Sequence, residues 1–285
     1  MREKISACIT ACDEERNIRR CLESVKWADE IVVVDSFSKD RTVEICREYT
    51  DRVYQHAWMG YIGQKNLIKS LANGPWLLFI DADEEVSPAL RDEILEIFES
   101  GRNRLYAGFE FPRMVYYLGR WIRHGEWYPD IKLRLFRKDK GHCGGNEPHD
   151  RTTVDGRVGR LRGHLYHYTY EDIHDQIKTM NEFSSIAARS MKEAGYPFRW
   201  RDLLFRPVWR LFKALVLKRG ILDGLRGVII ALCSSFGVFL KYAKLMELYL
   251  SSGGCARAGR GGRGGGCGIG REGPLRGVDI VREMR

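Results

Sequence analysis

The sequence of 285 residues lacks a glycine-rich phosphate-binding loop in its first half. Neither G-x-G-x-x-G nor G-x-x-x-x-G-K-[ST] follows a predicted strand there, which disfavours dinucleotide-dependent dehydrogenases and P-loop enzymes. The same absence disfavours a sugar-phosphate nucleotidyltransferase, whose first loop is rich in glycine. Twelve of the 30 glycines lie after residue 252 instead. We expect the segment 251–285 to be disordered, because it has too few apolar residues to form a core.

The sequence also lacks a signal stretch and a recognisable zinc-binding pattern. Its start, Met1-Arg2-Glu3-Lys4, carries no apolar run, and the eight cysteines are scattered. Cys8 and Cys12 have no second pair to form a zinc site with, so we expect them to be buried thiols near the first strand. Five of the seven histidines lie between His124 and His167, but their spacing matches no zinc motif. We therefore expect a cytoplasmic protein with reduced thiols.

The charge excess is modest once the C-terminal segment is set aside. The formal net charge is +9, of which residues 251–285 contribute +4 and the first 250 residues +5. An anionic membrane surface or phosphorylated substrates account for such an excess. The arginine- and glycine-rich segment has no interleaved aromatic residues, so we expect no nucleic-acid partner.

One apolar run that ends in acids dominates the first half of the chain. Residues 76–80 are Trp-Leu-Leu-Phe-Ile without alternation, which predicts a strand covered on both faces, and 81–85 are Asp-Ala-Asp-Glu-Glu. Ligands bind at the carboxyl ends of such strands, and Asp81 and Asp83 can both reach one Mg2+ or Mn2+ ion that in turn binds a diphosphate. The alternative is an acidic first helical turn capped by Ser87-Pro88.

Strands and helices alternate through the first hundred residues, which predicts a doubly wound α/β sheet. A second strand, residues 30–35, also ends on an acid, Asp35. Because the carboxyl ends of parallel strands meet at one edge, Asp35 is a candidate contact for a base or ribose; capping of the next loop is the alternative. The predicted strands are 4–10, 30–35, 53–55, 76–80, 106–113 and 132–137, and the predicted helices of this part begin near residues 13, 41, 62 and 88.

These motifs together resemble those of family 2 glycosyltransferases with the GT-A fold, closest to the branch of lipopolysaccharide-core β-1,4-glucosyltransferases. The resemblance covers residues 4–247 and is carried by Thr10-Ala11-Cys12-Asp13-Glu14-Glu15-x-Asn17-Ile18, Val32-Val33-Val34-Asp35-Ser36, Gln64-Lys65-Asn66 and Asp81-Ala82-Asp83-Glu84. It implies an inverting transfer from a nucleotide-sugar donor with a divalent cation. It also implies that the donor is bound by Asp13, Glu14, Asp35, Ser36, Gln64, Lys65, Asn66 and Asp81, and the cation by Asp83 and Asp81.

The middle of the chain is expected to bind the acceptor and supply a base. Residues 116–130 are rich in aromatic and basic side chains, which suit sugar rings and acidic groups; a partly buried aromatic hairpin is the alternative. Direct displacement needs a base for the proton of the acceptor hydroxyl. Asp150 is the first candidate, since His149-Asp150 resembles the His-Glu segment of that branch; Glu147 and Asp130 are the others. His167 is a candidate third ligand of the cation, because GT-A enzymes often supply a late histidine.

The last part of the chain is expected to be helical and to associate with a membrane. Arg199, Arg206, Arg210 and Lys213 share one helical face beside aromatic and aliphatic residues, which predicts a helix in the membrane interface; docking on the catalytic domain is the alternative. The charge-free run 227–240 is too short to span a bilayer.

The predicted organisation is a GT-A catalytic domain at 1–169, a membrane-associating helical region at 170–250 and a tail at 251–285. Within the catalytic domain, residues 1–100 are expected to hold the donor and 101–169 the acceptor. The predicted function is transfer of a hexose from a nucleotide diphosphate sugar to a cell-surface glycolipid or lipopolysaccharide-core acceptor. Glucose is the first candidate for the hexose, and UDP is the first candidate for the nucleotide. The predicted location is the inner face of the cell membrane. The alternative is a non-catalytic nucleotide- or membrane-binding module with the same fold.

Overall fold

A computed structural model describes residues 2–146 and 149–251, without the side chains of residues 146, 149 and 150. The chain separates into two compact units between Glu171 and Asp172. The roles predicted for the segments 1–169 and 170–250 stay predictions. The predicted tail lies outside the described residues from position 252 onward.

In its described residues, the first unit contains twelve strands and four α-helices, with a 3-10 turn at Arg102–Leu105. The strands are β1 (Ile5–Ala11), β2 (Glu30–Asp35), β3 (Val53–Gln55), β4 (Trp76–Asp81), β5 (Glu84–Val86), β6 (Gly108–Tyr117), β7 (Arg120–Trp121), β8 (Asp130–Arg137), β9 (Gly141–Asn146), β10 (His149–Val154), β11 (Val158–Arg160) and β12 (Leu165–His167). The helices are α1 (Ile18–Val25), α2 (Thr42–Arg47), α3 (Gly60–Leu71) and α4 (Pro88–Glu99).

Ten of these strands form one mixed sheet in the order β3-β2-β1-β4-β8-β6-β12-β5, with β7 and β11 paired to β6. Strands β1 to β4 run parallel, and β8 runs antiparallel to β4. Strands β9 and β10 form a separate antiparallel hairpin. The predicted mixed α/β sheet is confirmed.

Strand β4 is buried on both faces, as its unbroken apolar run predicts. Trp76, Leu78 and Ile80 belong to one core with side chains of α1, α2 and α4. Leu77 and Phe79 belong to a second core with α3. The two cores fix the strand from both sides, so the acids that follow it emerge at a defined point of the sheet edge.

Several elements differ from the sequence predictions. The acids at 84–85 begin strand β5, which pairs with β12, and are not a helical turn. The 116–130 segment contains the hairpin β6–β7, whose turn has positive φ at Leu118 (44°) and Gly119 (81°), the backbone of a tight two-residue turn. Cys8 is buried, but Cys12 is exposed, because β1 ends at Ala11.

The second unit is helical and has its own core. It contains α5 (Ile173–Glu193), α6 (Trp200–Phe212), a π-helical segment Lys213–Leu217, a 3-10 turn Gly220–Asp223 and α7 (Leu225–Ser251). Its core consists of Ala188, Met191, Leu203, Tyr242 and Leu245. The helical structure predicted for this region is therefore present.

The charge-free run 227–240 is only part of a longer helix. That run belongs to α7, which has 27 residues and is long and apolar enough to cross a membrane by length and composition. The helix continues to Ser251, well past the charge-free run. A buried helix of a water-soluble protein meets the same criterion, and Tyr242 and Leu245 of α7 are buried within this unit.

Candidate active site

The sheet register brings the acids of the sequence motifs to one edge. Ala11 of β1 pairs with Asp35 of β2, and Thr10 pairs with Asp81 of β4. Asp13 follows two residues after the end of β1. The strand register therefore places Asp13, Asp35 and Asp81 together at the carboxyl ends of parallel strands, as predicted.

The loops after β1 and β2 are joined by hydrogen bonds that use two of these acids. Asp13 adopts a left-handed backbone (φ 54°), which aspartate tolerates better than most residues. Its backbone N–H donates to Ser38 Oγ at 2.8 Å, and its carboxylate accepts from the N–H of Lys39 at 2.7 Å. Asp35 is fully buried and accepts from the N–H and hydroxyl of Ser38 and from Gln55 Nε2. Both acids shape the loop that faces the edge, and their contacts to a nucleotide stay a prediction.

The three polar residues predicted on α3 lie at different places. Gln64 is buried and donates from Nε2 to Ser36 Oγ at 3.0 Å, so these two predicted residues lie together beside the β2 loop. Lys65 is buried, and its charge acts on Asp81. Asn66 is exposed and donates to the carbonyl of Cys143 in β9 at 3.3 Å. Asn66 therefore contacts the β9–β10 hairpin.

Asp81 is paired with an arginine side chain, Arg134, that was not among the predicted site residues. Arg134 of β8, a buried residue, donates to Asp81 Oδ2 at 2.6 Å and to Glu84 Oε1 at 3.1 Å. Burial by itself would raise the pKa of Asp81, but the charges of Arg134 and Lys65 outweigh it and hold that pKa well below its usual range. The sequence signal that could have identified Arg134 is its position between two leucines in the predicted strand 132–137. We conclude that Asp81 is ionised.

Glu84 and Arg113 extend this network across the sheet. Glu84 is fully buried, accepts from the N–H of Asp81 at 3.0 Å, and pairs with Arg113 of β6 at 3.2 Å. Arg113 also contacts Asp130 at 2.7 Å. The turn that carries Asp81 and Asp83 is therefore held by buried charge pairs.

Asp83 and His167 meet at the same edge. His167 Nε2 lies 2.9 Å from Asp83 Oδ2, and both side chains are largely buried. The β5–β12 pairing places them, since His167 is opposite Glu84 and the N–H of Tyr168 donates to the carbonyl of Asp83 at 2.9 Å. His167 Nδ1 is buried without a hydrogen-bond partner among the described residues.

The pKa of Glu14 is raised by burial and by acids that include Asp83. Burial is the largest cause that raises the pKa of Glu14 to about 7, and the charges of Asp83, Asp40 and Glu171 add to it. The Glu14 carboxylate accepts a hydrogen bond from Asn17 Nδ2 at 2.9 Å, which acts in the opposite direction. A divalent cation at Asp83 would offset this accumulation of acids.

The residues present fit part of a divalent-cation site. Within residues 2–146 and 149–251, no group of three or more His, Cys, Asp or Glu side chains is arranged to hold a metal. Asp83 and His167 nevertheless supply one carboxylate and one imidazole at a single point, a donor set that Mn2+ accepts. The remaining ligands would have to come from the diphosphate and water. The metal role of Asp81 is less well supported, because its nearest charge partner is Arg134.

The three candidate bases differ in what the structure says of them. Glu147 and the side chain of Asp150 lie outside the described residues, although the backbone of Asp150 pairs with Gly145 in the β9–β10 hairpin. Asp130 lies at the start of β8 and contacts Arg113 and Lys132. Burial would raise its pKa, but those two charges outweigh burial and lower it. Asp130 is thus a weak proton acceptor.

Aromatic side chains flank His167. Trp121 of β7 lies 4.3 Å from the ring of Tyr166 and 5.6 Å from that of Tyr168, centroid to centroid. The guanidinium of Arg20 lies 3.6 Å from the centroid of the Tyr168 ring. Trp121 belongs to the β6–β7 hairpin of the 116–130 segment, where it pairs with Tyr116, and the role of that segment in acceptor binding stays a prediction.

Comparison with known proteins gives consistent similarities over most of the chain. A family profile described as glycosyl transferase family 2 matches residues 6–153. An uncharacterized glycosyltransferase of Rickettsia typhi is 32% identical over 262 residues, covering 88% of this chain and 89% of that protein. The lipopolysaccharide core biosynthesis glycosyltransferase LpsC of Rhizobium meliloti is 31% identical over 251 residues, covering 85% of this chain and 92% of that protein.

Similarities to solved structures are more distant. S. aureus TarS 1-349 in complex with UDP-GlcNAc is 14% identical with a TM-score of 0.44, covering 89% of this chain and 93% of that chain. Glucosyl-3-phosphoglycerate synthase from Mycobacterium tuberculosis, in complex with Mn2+ and UDP-glucose, is 12% identical with a TM-score of 0.43, covering 68% of this chain and 80% of that chain. Nothing about the residues or ligands of this chain follows from likenesses at that distance.

Proposed function

The chain belongs to glycosyltransferase family 2, and we propose that it transfers a hexose from a nucleotide diphosphate sugar to a cell-surface glycolipid. The donor is UDP-linked and the hexose glucose in this proposal. The acceptor is a saccharide of the lipopolysaccharide-core type, supported by the similarity to LpsC along most of both chains.

The donor half of the site rests on the acidic edge of the sheet. Asp83 and His167 would hold the divalent cation, Mn2+ in preference to Mg2+ because one donor is an imidazole. A bound cation supplies positive charge that offsets the charge developing on the leaving diphosphate. Gln64, Ser36, Asp13 and the other polar residues of the edge would position the nucleotide.

The transfer itself is a direct displacement with inversion. The acceptor hydroxyl oxygen forms a bond to the anomeric carbon as the bond from that carbon to the diphosphate breaks. The hydroxyl proton goes to a carboxylate, and the nucleotide diphosphate leaves. We assign that carboxylate to Asp150, because Asp130 is bound by Arg113 and Lys132.

The second unit supports a location at the inner face of the membrane. An apolar stripe runs along α6 and the π-helical segment, and the exposure of its residues ranges from 46% for Phe212 to 71% for Phe205. The apolar stripe consists of Trp200, Leu204, Phe205, Val208, Trp209, Phe212, Val216 and Leu217. Basic residues of the same two segments lie next to it in sequence, Arg206 and Arg210 in α6 and Lys213 at the start of the π-helical segment. This combination is typical of helices that lie in the interface of an anionic bilayer.

The contact between Asp83 and His167 carries the donor part of the proposal, and a substitution tests it. Asp83→Asn is expected to reduce transfer at least about 100-fold, since the variant loses the charge that binds the cation. Transfer is measured with UDP-, GDP- and dTDP-linked sugars in Mn2+, in Mg2+ and in EDTA. Thermal unfolding checks that the variant is folded.

The chain offers a matched control in a second Asp–His pair. Asp155 and His142 lie 2.7 Å apart and are both exposed. Asp155→Asn removes the same kind of contact away from the sheet edge and is expected to leave transfer unchanged. A fully active Asp83→Asn protein, or transfer that persists in EDTA, would refute the cation role.

A further inference from the structure

A cavity in the second unit is lined by cations. Its volume is about 290 Å³, and it lies between α6 and α7. Arg206, Arg210, Lys213 and Lys241 contribute charged groups, and Trp209 and Tyr242 contribute aromatic walls. No aspartate or glutamate is among the described residues that line it.

Lys241 is the unusual member of this group. Lys241 is only 8% exposed, and it lies on α7 next to Tyr242 of the core of this unit. Such burial is unusual for a lysine. Burial is the main cause that lowers the pKa of Lys241 to about 8, and the charges of Arg206 and Arg210 lower it further. A buried ammonium group beside two guanidinium groups is unfavourable unless an anion is close to it.

The carboxylate of Asp202 is already engaged by other groups. It pairs with Arg206 at 2.8 Å and accepts a hydrogen bond from the hydroxyl of Tyr196 at 2.9 Å. Because the described residues that line the cavity carry four cationic groups and no carboxylate, the cavity suits a phosphate group.

The cavity opens beside the apolar stripe. Trp209 lines the cavity and is also 58% exposed as a member of the stripe, and its ring lies 5.7 Å from that of Phe212. A phosphate in the cavity and hydrocarbon along the stripe are the two halves of one kind of molecule, an anionic membrane lipid. A free phosphate would leave the adjacent apolar side chains in water.

We propose that the cavity between α6 and α7 binds the phosphate headgroup of an anionic membrane lipid while the apolar stripe enters the bilayer interface. The proposal rests on the membrane location given under the proposed function and adds a defined headgroup site to it. A defined headgroup site differs from nonspecific electrostatic attraction to an anionic bilayer, in which every exposed lysine contributes about equally.

The test compares two lysines with the same charge and different positions. Lys241→Met is expected to weaken binding of the full chain to phosphatidylglycerol vesicles about thirtyfold, because a direct charged contact is lost. Lys218→Met removes one exposed charge outside the cavity and is expected to weaken binding about fivefold or less. Vesicle co-sedimentation gives both affinities, with phosphatidylcholine vesicles as the uncharged reference. Thermal unfolding checks each variant, and Arg210→Gln serves as a second cavity variant.

The outcomes separate the headgroup site from the membrane location. Equal losses for Lys241→Met and Lys218→Met would overturn the headgroup site while leaving the membrane location intact. Wild-type protein that binds phosphatidylglycerol vesicles no better than phosphatidylcholine vesicles, but binds inorganic phosphate, would also overturn it. Failure of the wild type to bind any vesicle would remove the membrane location itself; donor binding, measured with UDP and Mn2+, tests the transferase proposal independently.

Discussion

Arg134 determines the charge balance at the end of β4. Its guanidinium contacts Asp81 and the fully buried Glu84, and it is itself buried. Removal of one partner from a buried charge pair leaves the other uncompensated, which costs far more than loss of a surface pair. The site therefore depends on a residue that does not belong to any of the sequence motifs.

Substitution of Arg134 by methionine is expected to lower the free energy of unfolding by about 3 kcal/mol, because Asp81 and Glu84 lose a buried partner. Arg102→Met is the control, since Arg102 pairs with Glu96 at the surface, where both side chains are exposed, and its loss is expected to cost less than about 1 kcal/mol. Urea denaturation measures both. Equal costs for the two variants would show that the Arg134 pairs contribute no more than surface pairs.

Glu14 gives the metal-free protein a stability that depends on pH. Burial raises its pKa from an ordinary value of 4.5 to about 7, so the folded state binds a proton that the unfolded state has released. The contribution of Glu14 to the free energy of unfolding is therefore fully present below about pH 4.5. It is lost as the pH rises through about 7. At pH 8, Glu14→Gln is expected to be more stable than the wild type by on the order of 2 kcal/mol.

Denaturation curves in EDTA between pH 5 and pH 8 test this expectation. The Glu14→Gln curve should gain on the wild type as pH rises. Glu99→Gln, an exposed glutamate at the end of α4, should follow the wild type throughout. A constant difference between Glu14→Gln and wild type across this range would contradict the raised pKa.

Sequence patterns identified the elements whose signals are local. Strands β2 and β4 came out close to their predicted bounds, since their apolar runs and terminal acids are contiguous in sequence. Strand β5 was missed, because its pairing partner β12 lies about 80 residues later. The same holds within the site. His167 was predicted from a family resemblance, whereas Arg134 has no sequence motif and is placed only by the β4–β8 pairing.

The cap of α4 is a local signal with a measurable energy. Ser87 was an alternative explanation for the acids at 81–85, and its hydroxyl does accept from the N–H of Leu90 at 3.2 Å while Pro88 begins the helix. Ser87→Ala is expected to lower the free energy of unfolding by about 1 kcal/mol. Ser70→Ala, which removes an exposed hydroxyl near the end of α3, should change it by less than about half of that. Similar effects for both would mean that the cap contributes little.

At the scale of the whole molecule, the two units have separable tasks in the proposed function. The first unit contains the acidic edge, and the second contains the apolar stripe. A change to the stripe should therefore affect a glycolipid acceptor in a membrane and not the chemistry of transfer. The side chains of Phe205 and Val208 are suitable probes, because they are 71% and 67% exposed and do not line the cationic cavity.

The double substitution Phe205→Ser and Val208→Ser is expected to reduce transfer to a glycolipid in vesicles at least about tenfold, since two apolar side chains no longer enter the interface. Transfer to the water-soluble saccharide of the same acceptor should stay unchanged. Leu105→Ser, at a residue of the first unit that is 65% exposed, controls for the loss of an exposed apolar side chain. Rates with both acceptors decide the matter. A double variant that loses both activities equally would show that the stripe supports the fold or the catalytic unit, and one that keeps both would remove the stripe from membrane binding.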